Sequence, residues 1–353
     1  MANENKVNTN QRFLLAPMAE ISHRALRELI EEFGGCDEYF TEMISAPALL
    51  AGGPFEKWYI DNGPCPEKLV YQLVGSDSGQ ISRAAALLDK RECAGIDINM
   101  GCSAPLIRKT GAGVAWMASA DRAGELVRNV RKTVKRLLSV KIRTGLTNDF
   151  DYLVKFCRRL EEEGVDFIIL HPRTASEKFK RLAKWDYVEA LRRELRIPIA
   201  GNGDITDAEG LIRRTAVCDA VMAGRAAVRQ PWIFAQARKD LFPNSSREDA
   251  SNLRFATQSF KGGLSNSESP PAPPRLCENS YQIKEVGLCF LELLARWQPP
   301  EFHISRAKRF FGFFCDNLKW GNYLKNLLNR EETLSGIERV WREHFRTSLH
   351  GIY

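Results

Sequence analysis

Cys102 closes the run Asp97-Ile98-Asn99-Met100-Gly101-Cys102 and precedes a glycine-rich stretch, Lys109-Thr110-Gly111-Ala112-Gly113. A free thiol, with a pKa near ~8.5, is mostly protonated at neutral pH, so a cysteine at the end of a buried strand can donate a proton. The other eight cysteines have no such setting and read as small apolar filler. Lys141 interrupts the apolar run Val140-Lys141-Ile142-Arg143. Lysine is rarely buried without a partner, so inside a fold it calls for an anion or a developing negative charge. Asn202-Gly203-Asp204 and Gly224-Arg225 each follow a further apolar run. Glycine lets backbone approach a phosphate, a following helix presents free N–H groups, and Arg225 adds charge. The same residues also suit ordinary turns, since Asn-Gly is a favoured turn pair. His171 and Arg173 end another run, where the imidazole could hydrogen-bond a cofactor and the guanidinium could grip a substrate.

These residues need elements that bring them together. Eight short apolar runs recur between residues 12 and 242: Arg12–Ala16, Tyr39–Met43, Leu69–Val74, Gly95–Asn99, Val140–Arg143, Phe167–His171, Ile197–Gly201 and Ala220–Gly224. Most are continuously apolar, which marks parallel strands covered on both faces. Amphipathic stretches such as Ser78–Glu92, Ala123–Leu138, Asp151–Glu163 and Asp186–Leu195 lie between them. The pattern predicts a (β/α)8 TIM barrel over residues 1–242, with its active site at the C-terminal ends of the strands. Each run carries, or is directly followed by, polar or special residues, as that reading requires: Pro17-Met18, Glu42, Gln72, Asn99 to Cys102, Lys141 and Arg143, His171 to Arg173, Asn202 to Asp204, and Gly224-Arg225. A doubly wound sheet would want a glycine-rich turn after its first strand, and Ala16-Pro17-Met18-Ala19 is not one.

Residues 243–275, with Ser269-Pro270-Pro271-Ala272-Pro273-Pro274, read as a flexible linker. Helical periodicity without strand signals then predicts a small all-helical domain over 276–353, with its own core. Between His303 and Arg330 six basic residues (Arg306, Lys308, Arg309, Lys319, Lys325, Arg330) face one acid, Asp316, and aromatic residues interleave. Most of those aromatics suit a core, and the local positive excess reads as a footprint for phosphates.

Composition bounds the rest. The 353 residues are 44% hydrophobic and 27% charged, which is globular and excludes wholesale disorder. No run approaches the ~18 apolar residues of a membrane span, and residues 1–10 lack the apolar stretch of a secretion signal. Nine scattered cysteines without a C-x-x-C pair argue against a disulfide scaffold or a structural zinc, so no metal and a reducing cytoplasmic setting are expected. The net charge of +7 permits a polyanionic partner.

As an ordered set, several motifs resemble the tRNA-dihydrouridine synthases, which are FMN-dependent enzymes. They are Leu15-Ala16-Pro17-Met18-Ala19, Tyr71-Gln72-Leu73-Val74-Gly75-Ser76, Asp97 to Cys102, Val140-Lys141-Ile142-Arg143-Thr144-Gly145, His171-Pro172-Arg173-Thr174, Asn202-Gly203-Asp204-Ile205 and Met222-Ala223-Gly224-Arg225-Ala226. The likeness covers roughly residues 12 to 240. It implies that Pro17, Met18 and Ala19 line the flavin ring and that Gln72 and Lys141 bond its polar edge. It assigns His171, Asn202, Gly203, Asp204, Gly224 and Arg225 to the ribityl phosphate side, Cys102 to proton donation, and Asn99 and Arg173 to the uracil. Arg306, Arg309 and Lys325 would hold tRNA phosphates. The implied reaction sends a hydride from FMN to uracil C6 and a proton from Cys102 to C5, with NADPH as reductant. A monomer is expected. The sequence departs from the family pattern at Ser103, where a proline is usual after the cysteine, and at Pro172, where a glycine is usual. Two other readings compete: a flavin barrel acting on a small pyrimidine, which leaves the basic tail unexplained, and a non-catalytic RNA-binding protein.

Overall fold

A computed structural model describes residues 12–177, 181–242 and 280–348 of the chain; the expected linker at 243–275 lies outside the described residues. Nine strands form one all-parallel sheet: β1 Arg12–Leu15, β2 Glu38–Phe40, β3 Ile44–Ser45, β4 Leu69–Val74, β5 Gly95–Met100, β6 Leu137–Gly145, β7 Phe167–Thr174, β8 Ile199–Asn202 and β9 Ala220–Ala223. Neighbours run in sequence order from β4 to β9; β9 pairs with β1, and β2 pairs with both β1 and β4. The ring therefore closes on eight strands, a (β/α)8 barrel without edges, and β3 is a two-residue extension along the end of β4.

The continuous strand expected over Tyr39–Met43 is instead broken after Phe40. The Thr41 side chain causes the break. Its Oγ1 accepts the Gln72 N–H at 3.0 Å and donates to the Glu42 carbonyl at 2.8 Å, so a hydroxyl stands where a ladder carbonyl would be. Glu42 is thereby turned out of the ladder, and its carboxylate receives the Glu20 N–H at 2.5 Å.

Alternate residues of each strand go to two separate apolar layers. Phe13, Leu15, Tyr71, Ile96, Ile98, Val140, Ile142, Ile168 and Leu170 pack outward under the helices. Leu14, Phe40, Val70, Phe167, Ile169, Ala200 and Met222 fill the barrel interior. Further along the same inward faces the residues turn polar: Gln72, Asp97, Asn99, Ser139, Lys141, Arg143, His171 and Asn202. The barrel has an apolar floor and a polar upper storey, which gives strands β4 to β8 their two-sided burial and their polar ends at once. The surrounding helices start on side-chain caps, as with Asp77, Asp149 and Asp207, each accepting an N–H from the first turn of its helix.

The tail folds as four helices, Ser280–Trp297, Pro300–Phe314, Gly321–Arg330 and Leu334–Ser348. Phe290 stacks on Phe310 with ring centroids 3.7 Å apart, and Phe311, Phe314 and Trp341 complete the cluster. Trp320 and Tyr323 are 66% and 64% exposed, so these two interleaved aromatics stand outside that core. The tail does not keep a core to itself. Helix Ser280–Trp297 lies along helix Arg24–Glu32 of the barrel, Phe302 meets Phe55 at 4.9 Å, and the apolar cluster runs unbroken from barrel to tail. Among the described residues no helix is long and apolar enough to cross a membrane.

Candidate active site

The strand ends open onto a cavity of about 430 Å³. Pro17 and Met18 after β1, Cys102 after β5, Lys141 and Arg143 on β6, His171 and Arg173 on β7, Asn202 to Asp204 after β8 and Gly224 with Arg225 after β9 all line it. One cavity thus collects thiol, cations and glycine turns that are scattered over 209 positions of sequence from Pro17 to Arg225.

Lys141 points into this cavity because β6 alternates and Ser139, Lys141 and Arg143 share the inner face. Its Nζ donates to Asn202 Oδ1 at 3.2 Å, and Asn202 Nδ2 donates in turn to the Met222 carbonyl at 2.8 Å. Burial and the neighbouring Arg143 lower the lysine pKa to about 8, against the opposing charge of Asp97. His171 is buried, and Arg173 Nη1 donates to its Nε2 at 3.0 Å, which leaves the ring proton on Nδ1. Burial, followed by the charges of Lys141, Arg143, Arg173 and Arg225, pushes the imidazole pKa down to about 2, so the ring is neutral at any working pH. Arg173 Nη2 spans both oxygens of Asp204 at 2.6 and 2.7 Å, and its Nε donates to the Arg181 carbonyl at 2.5 Å. Burial works against the Asp204 carboxylate, but the Ala183 N–H and Arg173 hold its pKa below the usual range. Arg173 is therefore mainly engaged in holding the turn after β8.

That turn has a left-handed backbone, with φ of +127° at Gly203 and +52° at Asp204. A Cβ on Gly203 would lie 3.0 Å from both His171 Cδ2 and Ala183 Cβ, so glycine keeps this wall of the cavity open.

Cys102 is half-buried on a pinned loop. Its N–H donates to Asn99 Oδ1 at 2.9 Å, its carbonyl receives the Val114 N–H at 2.9 Å, and Arg143 Nε donates to the Gly101 carbonyl at 2.9 Å. The two departures from the family pattern have local accommodations. Pro105 opens the short helix Pro105–Lys109 from its first position, where no N–H is needed. Pro172 sits where the β6–β7 register slips by one residue, and its carbonyl accepts the Lys184 N–H at 2.9 Å.

Other expected site residues lie elsewhere. Ala19 is exposed and outside the cavity lining. Gln72 is fully buried below the cavity, donating to Asp97 and accepting from Asn99. Arg306 is 1% exposed, not on the surface: it pairs with Glu42 at 2.9 Å, bonds the Gln298 side chain, and lies over the Phe302 ring at 4.5 Å. It clamps the tail to the barrel, because the turned-out Glu42 needs a buried counter-charge. Arg309 pairs with Glu20 at 3.0 Å across the exposed seam between tail and barrel, and Lys325 pairs with Asp316 within the tail. Sequence reading passed over Asp97, Ser139 and Arg143 as site residues. The available signal was polarity inside otherwise apolar strands. Among the described residues no cluster of three or more histidine, cysteine or acidic side chains is arranged to hold a metal.

The dihydrouridine synthase (Dus) family model matches residues 14–265. A probable tRNA-dihydrouridine synthase of Aquifex aeolicus is 33% identical over 234 residues, which cover 64% of this chain and 72% of that one. The tRNA-dihydrouridine(16) synthase of Ralstonia nicotianae is 30% identical, over 64% of this chain and 72% of its own. The mouse tRNA-dihydrouridine(47) synthase [NAD(P)(+)]-like protein is 29% identical, over 66% of this chain and 37% of its own length. With the matched segment running through the barrel and carrying Cys102, Lys141 and both glycine turns, the chain belongs to the dihydrouridine synthase family.

Proposed function

We propose that the protein reduces the C5=C6 bond of uridines in tRNA, with FMN as hydride carrier and NADPH as reductant. The observation that carries this reading is the meeting of Cys102, Lys141 and the two glycine turns in one cavity. The residues suit the cofactor. The open wall at Gly203 would be filled by any Cβ, a Cβ on Gly224 would crowd Met18 Sδ at 3.2 Å, and Lys141, Arg143 and Arg225 surround the cavity with positive charge. His171, Asn202, Gly203, Gly224 and Arg225 would hold the phosphate side, Asp204 and Arg173 would brace that turn, and Pro17 and Met18 would flank the ring. FMN held by these residues would supply, when reduced, a hydride for uracil C6.

The protein's own groups do the rest. Lys141 would place a cation where reduction builds negative charge. Cys102 Sγ holds the proton that goes to uracil C5, and the pinned loop fixes where that sulfur stands. Asn99 lines the cavity beside it and would contact the base. A stacked uridine would have to leave its helix to reach Cys102 at the strand ends. Arg309, with Lys325 and its basic neighbours on the tail, would contact tRNA phosphates, which position the substrate without reading its sequence.

Cys102→Ala tests the assignment. FMN content and NADPH oxidation are expected to persist, while dihydrouridine formation falls by ~10²–10⁴-fold, the usual contribution of a general acid. Nucleoside mass spectrometry of the tRNA gives the yield, and a wild-type rate in this variant would refute Cys102 as the donor.

A further inference from the structure

Asp97 is fully buried in the polar storey and has no ion pair among the described residues. Burial drives its pKa up to about 6, against the hydrogen bonds from Ser139 and Gln72 and the charge of Lys141. An isolated carboxylate is a poor way to stabilise a barrel interior, since burying it costs more than a packed apolar side chain would. Its hydrogen bonds suggest another reason for its presence. Ser139 Oγ donates to Oδ1 at 2.6 Å and Gln72 Nε2 donates to Oδ2 at 2.7 Å. Gln72 Oε1 then accepts from Asn99 Nδ2 at 2.9 Å. Asn99 Oδ1 finally accepts the Gly101 N–H at 3.2 Å and the Cys102 N–H at 2.9 Å.

We propose that Asp97 is a positioning residue that sets the polarity of this amide chain and thereby fixes the loop carrying Cys102. An amide side chain has almost the same shape when turned over, so packing alone does not orient Gln72 or Asn99. A carboxylate only accepts. It forces the Gln72 NH2 inward, which forces the Asn99 NH2 toward Gln72, which leaves the Asn99 oxygen for the loop. With the chain reversed, the Asn99 NH2 would confront two backbone N–H groups and the loop would lose its anchor. The alternating inner face of β5 brings Asp97 and Asn99 into line, and the register that sets Gln72 beside Asp97 and Asp97 beside Ser139 supplies the rest.

This inference adds to the proposed proton donor but its test does not depend on that donor. The readout is the rate at which iodoacetamide alkylates Cys102 in the full-length protein with FMN in excess, followed by peptide mass spectrometry, with thermal melting alongside. Asp97→Asn keeps the shape and lets either polarity form. It is expected to speed alkylation by about fivefold or more without lowering the melting temperature, the opening that one lost loop hydrogen bond allows. Gln72→Leu interrupts the chain with Asp97 intact and gives the same acceleration, which keeps the test available if Asp97→Asn fails to fold. Ser139→Ala removes a bond to the same carboxylate but leaves the acceptor, so its rate stays within about twofold of wild type. The decisive variant is Asp97→Asn with Asn99→Asp. There the new carboxylate at position 99 accepts the Cys102 N–H directly, Gln72 turns over, and the amide at position 97 donates to its Oε1. A rate restored to within about twofold of wild type supports the proposal. A folded Asp97→Asn protein labelled at the wild-type rate, Ser139→Ala as fast as Asp97→Asn, or a double variant that is not restored would each overturn it.

Discussion

Lys141 and the two buried histidines tie the chemistry of single side chains to pH. With its pKa lowered to about 8, Lys141 in the unliganded site loses its charge as pH rises through that value. Affinity for an anionic ligand such as FMN is therefore expected to weaken above pH 8, which flavin titrations at several pH values will register. Lys141→Met should cost about 3 kcal/mol of flavin binding or reduction barrier, on the scale of a preorganised electrostatic group, and should remove that pH dependence. His23 is buried with no hydrogen-bond partner for either ring nitrogen among the described residues, and burial, with Arg306 and Arg27 nearby, holds its pKa well below 6.5. The unfolded chain takes up protons near pH 6.5 that His23 and His171 refuse in the fold, so stability is lost as pH falls below 6.5. Asp97, with its pKa raised to about 6, works the other way from pH 6 downward and offsets part of the loss. Melting temperatures should fall between pH 6.5 and about 5, and His23→Phe should make that fall shallower. An unchanged slope in the variant would remove His23 from the account.

The turn after β8 shows what an element adds to a residue. Gly203 holds its wall because only glycine fits there, and Gly203→Ala is expected to lose ~1–3 kcal/mol of stability by forcing φ and pressing on His171. FMN affinity should drop with it, and isothermal titration against the melting curve separates the two losses. Elements of this kind were legible in the sequence to the extent that they follow from periodicity. The strands Leu69–Val74 and Phe167–His171 stood out because both faces are buried, and the cavity residues stood out because they follow such runs. Side-chain events were not legible. The break after Phe40 depends on a Thr41 hydroxyl meeting Gln72 from another strand, and the inward placement of Gln72 depends on Asp97 beside it in the register. Arg306 looked like part of a basic surface because its counter-charge, Glu42, lies 264 positions away.

For the whole molecule, that ion pair decides how far barrel and tail are separate. The composition of residues 243–275 suggests two independent cores, but the packing runs through both, with Arg24 over the Trp297 ring at 3.2 Å and Asn317 Nδ2 donating to the Arg229 carbonyl at 2.6 Å. Arg306→Ala is expected to destabilise the fold by ~3–5 kcal/mol, because Glu42 is left charged and buried. Removing residues 276–353 should likewise lower the melting temperature of the barrel. A truncated barrel that melts like the full chain would mean the seam contributes nothing to it.

The docking of helix Ser280–Trp297 on helix Arg24–Glu32 also sets an order of events during synthesis. The ribosome finishes the first of these partners roughly 250 residues before the second begins. At ~5–20 residues per second, that interval is on the order of 10–50 s. Through it, the face of helix Arg24–Glu32 that the tail covers has no permanent cover, and β1 also waits for β9 before the ring can close. Protease pulses on ribosome-stalled chains should find the region around residues 24–32 cleavable up to a stall near residue 280 and protected once the tail is out.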